Sequence, residues 1–351
     1  MYRKRIAVDL AEEVFQVAES ARPGEVTTRK RLSRVAFVRY LQAIPEPALI
    51  IMEACGTAHY WARFARALGH DISLLHARYV KPYRQRNKTD RNDCDAILEA
   101  SRAGKMIPVP IKSEQQQMIQ QLHRLREQWK KNRNQRINLL RSILREFGIE
   151  APVKVEKFLK AAPLLVDEAL LKPIAPQLHL ILADITHFEL SMKECEKQLA
   201  RMLKNDNVAE RLDEISGVGI LTASAFIVAV NQPERFKNGR MLSAWLGMTP
   251  RENSSGSKRQ LGSISQQGNK YVRTLLIHGA RSALVAAKRA EKSAPGKLTT
   301  LQQWALQCAD RIGFNKATVA LANKMVRICW AVWCHERRFN GNFAMNRKAC
   351  N

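Results

Sequence analysis

The sequence lacks a long apolar run, a paired cysteine motif and enough acids to balance its basic residues. A membrane-spanning helix needs about 20 consecutive apolar residues, and no run in this 351-residue chain reaches that length. The basic start, Met1–Arg5, precedes only a short apolar run that contains Asp9, which is not the pattern of a signal peptide. Seven scattered cysteines without a C-x-x-C pair argue against a disulfide framework and a zinc site. We expect a cytoplasmic protein with reduced thiols.

The shortage of acids leaves the chain strongly basic. Lysine and arginine number 58 against 32 aspartates and glutamates, so the formal net charge is +26 at pH 7. The excess is spread along the whole sequence and is not confined to a tail. Such a field attracts polyanions. Nucleic acid is therefore the expected partner, with a membrane surface as the alternative.

Short apolar runs alternate with helical patterns over about the first 110 residues. Predicted strands are Arg5–Ala11, Phe15–Ala18, Ala48–Glu53 and Asp71–Leu75, and predicted helices are residues 31–43 and His59–Leu68. This alternation predicts an α/β domain. The run Ala48–Glu53 is apolar almost throughout, which is typical of a strand in the middle of a sheet.

Acids stand at the carboxyl ends of two predicted strands, Asp9 in the first and Glu53 in the third. Ligand sites of open α/β sheets lie outside those ends. Asp90 and Asp93 are three apart on a predicted helix and share a face. Carboxylate oxygens suit Mg²⁺ or Mn²⁺, so the four acids can converge on a two-metal site like that of RNase H-like nucleases. The alternative for Asp90 and Asp93 is a solvated helix start whose acids complement the macrodipole.

The middle of the chain has no glycine or proline between Pro110 and Gly148. Apolar residues at helical spacing over residues 112–147 predict a long helix, a candidate coiled-coil arm. A second helical stretch at 178–204 is expected to pack back along it. The basic residues of the first helix are Arg124, Arg126, Lys130, Lys131, Arg133 and Arg136. They form either an ordinary solvated face or a phosphate-facing surface, and the near absence of acids around them favours the second.

Two short motifs mark the C-terminal third. Gly217 and Gly219, just before a predicted helix, resemble a helix-hairpin-helix turn, in which backbone N–H groups approach a DNA phosphate. An ordinary tight turn is the alternative. Residues 248–270 are rich in serine and glycine and contain Lys258 and Arg259. This composition indicates a flexible loop, which is either a linker or a functional loop.

Taken in order, the motifs resemble one family over residues 5–333. They are Val8-Asp9, Met52-Glu53-Ala54-Cys55-Gly56, Lys88-Thr89-Asp90-Arg91-Asn92-Asp93, Gly217-Val218-Gly219, Ser254-Ser255-Gly256 and the amphipathic run Ala320–Ile328. The set is similar to the DEDD transposases of bacterial insertion sequences, the IS110 and IS1111 group, which includes Piv-type DNA invertases. Each motif alone is weak, but the combination is specific. Cys94 and Gln266 depart from the alanine and lysine expected at their positions.

The resemblance implies a multidomain α/β plus α architecture. An N-terminal RuvC-like, RNase H-like catalytic domain is expected at residues 1–111 and a helical coiled-coil region at 112–205. A mostly helical C-terminal transposase domain with the helix-hairpin-helix-like turn is expected at 206–335. The basic tail, residues 336–351, is predicted to be disordered.

The resemblance also implies a chemistry. Asp9, Glu53, Asp90 and Asp93 would hold Mg²⁺ or Mn²⁺, and Ser255 would be the nucleophile that joins the protein to DNA as a phosphoserine. The implied partners are double-stranded DNA of the element ends and target, a guide non-coding RNA, and further copies of the chain in a dimer or tetramer. Ser254 and Ser257 are competing nucleophiles that the sequence does not exclude.

Three functions are consistent with these residues. The first is a recombinase that uses Ser255, and the second is a Holliday-junction-type nuclease that uses the same metal with water as nucleophile. The third is a non-enzymatic nucleic-acid-binding derivative, against which the presence of all five central residues argues. The candidate nucleic-acid contacts are Lys88, Arg91, Gly217, Gly219, Lys258 and Arg259.

Overall fold

The structure is a computed structural model and describes residues 4–84, 90–104, 106–256 and 258–342. The chain divides into two compact units, Met1–Glu114 and Gln115–Asn351. Across the described residues, no helix has both the length and the apolar character needed to cross a membrane. The cysteines described as free thiols are Cys55, Cys94, Cys195, Cys308, Cys329 and Cys334.

The first unit is built on a five-stranded mixed sheet. Its strands are β1 (Arg5–Leu10), β2 (Val14–Ser20), β3 (Thr28–Ser33), β4 (Leu49–Glu53) and β5 (Asp71–Leu75). The order across the sheet is β3-β2-β1-β4-β5. The β1–β2 and β2–β3 pairs are antiparallel, whereas β1–β4 and β4–β5 are parallel. This mixed α/β arrangement is consistent with the predicted RNase H-like domain, and β4 has a neighbour on each side, as its apolar sequence predicted.

Helices cover both faces of this sheet. They are α1 (Arg34–Gln42), α2 (Ala58–Ala67), α3 (Ala77–Val80) and α4 (Asp90–Ala100). Successive side chains of a strand point to opposite faces. Ile6 and Val8 of β1 accordingly share a core with Trp61 of α2. Ala7 packs with Ile97 of α4 in a separate core. The sheet is therefore the middle layer of the unit.

Strand β3 is the element that the sequence pattern misses. Residues 31–43 are predicted helical, but α1 begins only at Arg34, and the preceding Thr28–Ser33 pairs with β2 at the edge of the sheet. This strand is mostly polar and charged, a common feature of edge strands. Arg29 pairs with Asp95 of α4 at 2.8 Å. Backbone pairing and such contacts order the strand, and neither leaves a hydrophobic periodicity in the sequence.

The second unit is mostly helical. Its helices are α5 (Glu114–Glu146, which begins at the last residue of the first unit), α6 (Val155–Val166), α7 (Ala175–Met202), α8 (Asn207–Asp213), α9 (Ile220–Val230), α10 (Gly239–Trp245), α11 (Lys270–Ser293), α12 (Thr300–Ile312) and α13 (Phe314–Cys334). A small hairpin, β6 (Pro250–Glu252) and β7 (Leu261–Ile264), lies between α10 and α11. Buried side chains form one core mainly within α5–α7 and another mainly within α8–α13.

Helices α5 and α7 run antiparallel and are joined by ion pairs. The pairs are Arg126–Glu196 at 2.7 Å, Arg133–Glu189 at 3.3 Å and Arg136–Asp184 at 2.9 Å. The second helix therefore packs back along the first, as predicted. Each of these three arginines pairs with a carboxylate of α7, and a phosphate-facing role for the basic face of α5 stays a prediction. Those partners lie about 50 to 70 residues further along the chain, where local charge counting does not reach them.

The segment after α13 packs against the C-terminal helices. The backbone N–H of Phe339 donates to the carboxylate of Glu214 at 3.2 Å, and the N–H of Leu301 donates to the carbonyl of Gly341 at 3.0 Å. These two contacts lie within the segment predicted to be disordered, and composition does not record them. Residues 343–351 lie outside the described part of the chain.

The turn between α8 and α9 packs closely against α11 through one glycine on each side. Gly217 has φ = 88° and lies against Gly279 of α11. A Cβ on either residue would overlap the carbonyl oxygen of the other. This close backbone approach accounts for glycine at both positions. Gly219 differs, because it precedes the first residue of α9, is exposed and has open space around its Cα.

We expect Gly279→Ala to destabilise the second unit. The added methyl group has no room, and overpacking costs about 1–3 kcal/mol, more than the ~1 kcal/mol by which alanine favours a helix. Urea unfolding followed by circular dichroism measures the change. Gly296→Ala is the control, because nothing lies within 4 Å of its Cβ position. Equal unfolding midpoints for the two variants would contradict the packing argument.

Candidate carboxylate site and serine hairpin

Asp9 and Glu53 occupy equivalent positions on two adjacent parallel strands. Val8 of β1 lies opposite Met52 of β4, so the two acids are the next residues of their strands at the carboxyl ends. Ala7, two residues before Asp9, belongs to the core that α4 covers. Side chains two apart on a strand point to the same face. The sheet therefore directs both acids toward the face that carries α4.

Helix α4 brings Asp93 to this edge. Asp93 is buried, with 8% of its surface exposed. The neighbouring Cys94 donates a hydrogen bond from Sγ to the carbonyl of Gln16 in β2 at 3.3 Å. Burial raises the pKa of the Cys94 thiol to about 12, and the negative charge of Asp9 adds to that rise. Asp9 therefore lies close to the first half of α4, and the cysteine that departs from the family pattern is part of the packing there.

Arg84 joins the two elements that carry Glu53 and Asp93. Its Nη2 donates to Glu53 Oε2 at 3.1 Å, and its Nε lies 3.0 Å from Asp93 Oδ1. The second contact is an ion pair without hydrogen-bond alignment. Among the described residues, Asp93 Oδ1 is thus a buried oxygen with no hydrogen-bond partner. The sequence gives no local signal for Arg84, because its two partners lie in different elements, β4 and α4.

The pKa of a nearby thiol depends on the two acids at this edge of the sheet. Cys55 lies in the turn after β4 and is exposed. Partial burial of its thiol raises the Cys55 pKa, and the charges of Glu53 and Asp9 raise it further. Both carboxylates therefore act on one accessible sulfur.

The described acids fit a divalent ion by chemistry but do not form a complete metal site. Within the described ranges, no three or more His, Cys, Asp or Glu side chains are arranged to hold a metal ion. Asp90 is the first residue of α4, and its side chain lies outside the description, as do the Arg91 side chain and Lys88. The oxygen donors are nevertheless those that Mg²⁺ and Mn²⁺ prefer, and the unbonded oxygen of Asp93 is a suitable ligand.

Ser255 lies at the tip of the β6–β7 hairpin. Ser255 and Lys258 exchange backbone hydrogen bonds of 3.3 and 3.2 Å, and the N–H of Asn253 donates to the carbonyl of Gln260 at 3.0 Å. Gly256, with φ = 57°, supplies the left-handed conformation of the turn. The segment contains a hairpin, which its composition did not predict, and its flexibility stays a prediction. Its small polar residues serve a tight turn.

Ser254 and Ser255, at the tip of the hairpin, differ in their bonding. Ser254 Oγ donates to Glu252 Oε1 at 2.8 Å and accepts from the N–H of Gln260 at 3.2 Å. Arg259 Nε lies 3.3 Å from the same glutamate oxygen. The Ser255 side chain is exposed and makes no hydrogen bond with any described residue. Ser257 lies outside the description, so of the other two, Ser255 has the hydroxyl that is not already engaged.

Two family models and several known proteins match this chain. A family model described as Transposase IS116/IS110/IS902 family matches residues 209–294, and a DEDD transposase model of the IS110 type matches residues 6–149. The chain is 35% identical over 344 residues to a Pseudomonas aeruginosa protein named probable family 20 transposase. That match covers 96% of this chain and 98% of the relative. The chain belongs to this transposase family.

Two further relatives extend along almost the whole chain. The transposase for insertion sequence element IS1111A of Coxiella burnetii is 34% identical, over 96% of this chain and 91% of its own length. A pilin gene-inverting protein of Moraxella bovis is 24% identical, over 97% of this chain and 98% of its own length. The resemblance drawn from the motifs is thus confirmed, and the chain is an enzyme of the DNA transposase and recombinase class. The two matched segments contain all five central candidate residues.

The reactivity of Cys55 tests whether this transposase gathers its acids as described. Because Glu53 and Asp9 raise the thiol pKa, we expect Glu53→Gln or Asp9→Asn to lower it and to increase the thiolate fraction at pH 8. Alkylation of Cys55, followed by peptide mass spectrometry, should therefore become faster in both variants. Asp71→Asn at the opposite end of β5 is the control and should leave the rate unchanged. An unaltered rate in all three variants would place the acids away from Cys55.

Proposed function

We propose that this transposase cuts and rejoins DNA strands through a phosphoserine at Ser255. A divalent metal ion held by Asp9, Glu53, Asp90 and Asp93 assists the reaction. The observation that carries the proposal is the hairpin, which presents the Ser255 hydroxyl to solvent without a described partner while the neighbouring Ser254 is tied down. A nucleophile on a turn held by backbone hydrogen bonds can be aimed at a substrate with little further ordering.

The bond changes at Ser255 are those of strand transfer. Its Oγ attacks the scissile phosphorus and loses its proton, the bond from phosphorus to one strand oxygen breaks, and that oxygen takes up a proton. A serine hydroxyl is a weak nucleophile near neutral pH and needs a base or a metal to activate it. The exposed Lys258 and Arg259 supply positive charge for the phosphate oxygens. The new ester keeps one phosphodiester linkage, so a second strand can displace the serine without an external energy source.

The acids supply the second half of the chemistry. When bound, Mg²⁺ or Mn²⁺ would polarise the scissile phosphate and stabilise the leaving oxygen. Asp9 and Glu53 from adjacent strand ends, Asp93 from α4, and Asp90 one turn earlier are the residues that would hold it. Support comes from the adjacency of the first three and from the buried, unbonded oxygen of Asp93.

The substrate and partners follow from charge and from the relatives. A net charge of +26 favours nucleic acid, and the similarity to a gene-inverting protein favours rearrangement of double-stranded DNA. We assign the element ends and the target as substrates, a non-coding RNA as guide, and a dimer or tetramer as the working form. The exposed Gly219 at the start of α9 supports a helix-hairpin-helix contact with a phosphate. The antiparallel α5 and α7 support a coiled-coil arm between domains at residues 1–111 and 206–335.

The proposal is tested by trapping the covalent protein–DNA link. Full-length enzyme is incubated with labelled element-end DNA, Mg²⁺ and the flanking non-coding RNA, and is then denatured. We expect an adduct in wild type and in Ser254→Ala and Ser257→Ala, but none in Ser255→Ala.

The same gel separates the alternatives. An adduct that persists in Ser255→Ala would refute the assignment of the nucleophile. Cleavage by Ser255→Ala without any adduct would identify a nuclease that uses water. Glu53→Gln, which keeps the hairpin intact, should also abolish the adduct if the carboxylate site assists the attack.

A further inference from the structure

Arg84 occupies the place between two of the proposed metal ligands. Two different nitrogens of its guanidinium contact Glu53 Oε2 at 3.1 Å and Asp93 Oδ1 at 3.0 Å. The arginine side chain is 32% exposed, and the acids are 20% and 11% exposed. The contacts are therefore shielded from water more than an ordinary surface ion pair would be.

Charge balance explains why a cation is needed at this position. Two carboxylates that are largely shielded from water and contact the same side chain repel each other unless a positive charge lies between them. A guanidinium can meet two carboxylates at once, because its N–H groups form a rigid planar fork. Arg84 directly follows a 3-10 turn, Lys81–Tyr83, which itself follows α3. Glu53, at the end of β4, and Asp93, in α4, are thereby tied together.

We propose that Arg84 is a positioning residue, the resident counter-ion of Glu53 and Asp93, and that a divalent cation binds these acids only by displacing it. This inference rests on the metal site of the proposed function. Glu53 Oε2 and Asp93 Oδ1 each already contact the guanidinium, and a metal that used these two oxygens would bring its charge against that of the arginine. Arg84 holds the ligands in place before the metal arrives and lowers the affinity of the site for it.

Mn²⁺ binding by the full-length chain tests the displacement. After metal removal with a chelator, free Mn²⁺ is titrated by electron paramagnetic resonance against wild type, Arg84→Met and Arg29→Met. Methionine keeps an unbranched stem and removes the charge. We expect Arg84→Met to bind Mn²⁺ on the order of tenfold more tightly, because the metal no longer competes with two partly shielded ion pairs.

Arg29→Met is the matched control. Arg29 is also 32% exposed and also pairs with a carboxylate of α4, but its partner is Asp95, which is not a proposed ligand. Its replacement should leave the Mn²⁺ affinity at the wild-type value. Equal tightening in both variants would show a general effect of removing positive charge and would overturn the role of Arg84.

A second readout does not depend on metal affinity. Without metal, Arg84→Met should melt at a lower temperature than wild type, because Glu53 and Asp93 are left to repel each other, and saturating Mn²⁺ should narrow that difference. Arg84→Lys, which keeps the charge but not the fork, should lie between the two in both measurements.

The outcomes distinguish this inference from the proposed function. If wild type binds Mn²⁺, Glu53→Gln does not, and Arg84→Met binds no more tightly than wild type, the metal site stands and the counter-ion role of Arg84 is overturned. If neither wild type nor Arg84→Met binds Mn²⁺, the metal site of the proposed function fails and displacement fails with it.

Discussion

Repulsion between carboxylates gathered at one sheet edge is the constraint around which the first unit is arranged. Parallel pairing of β1 and β4 brings Asp9 next to Glu53, and packing of α4 on the sheet adds Asp93. Carboxylates held close together repel one another, and a nearby positive charge offsets that repulsion. In this structure Arg84 supplies the positive charge. The fold thus gathers these acids at one edge of the sheet, where one arginine contacts two of them.

Ser255 is positioned by a different physical principle. The acids depend on a sheet with both faces covered, whereas Ser255 depends on a short hairpin fixed by backbone hydrogen bonds and by the contacts of Glu252 with Ser254 and Arg259. These contacts stiffen the turn and leave the Ser255 hydroxyl exposed. The hairpin therefore leaves the hydroxyl of one serine exposed while that of its neighbour is bonded within the turn.

What the sequence could predict was decided by the range of the interactions involved. Strands β1, β4 and β5, helix α5 and the placement of acids at strand ends follow from local periodicity, and the structure contains them. The edge strand β3, the α5–α7 ion pairs and the contacts of Arg84 depend on partners in other elements, from 9 to 70 residues away, so no local periodicity encoded them. The acidic partners of the basic residues on α5 likewise lie on another helix. The hairpin was missed because serine and glycine are common to linkers and to tight turns.

The most direct test of the account is anomalous diffraction from crystals of the full-length transposase soaked in Mn²⁺. The account predicts an anomalous peak in contact with the carboxylates of Asp9, Glu53 and Asp93, with the Arg84 guanidinium turned away from Glu53 and Asp93. A Mn²⁺ peak bound elsewhere on the chain, with Arg84 still bridging those two acids, would contradict it.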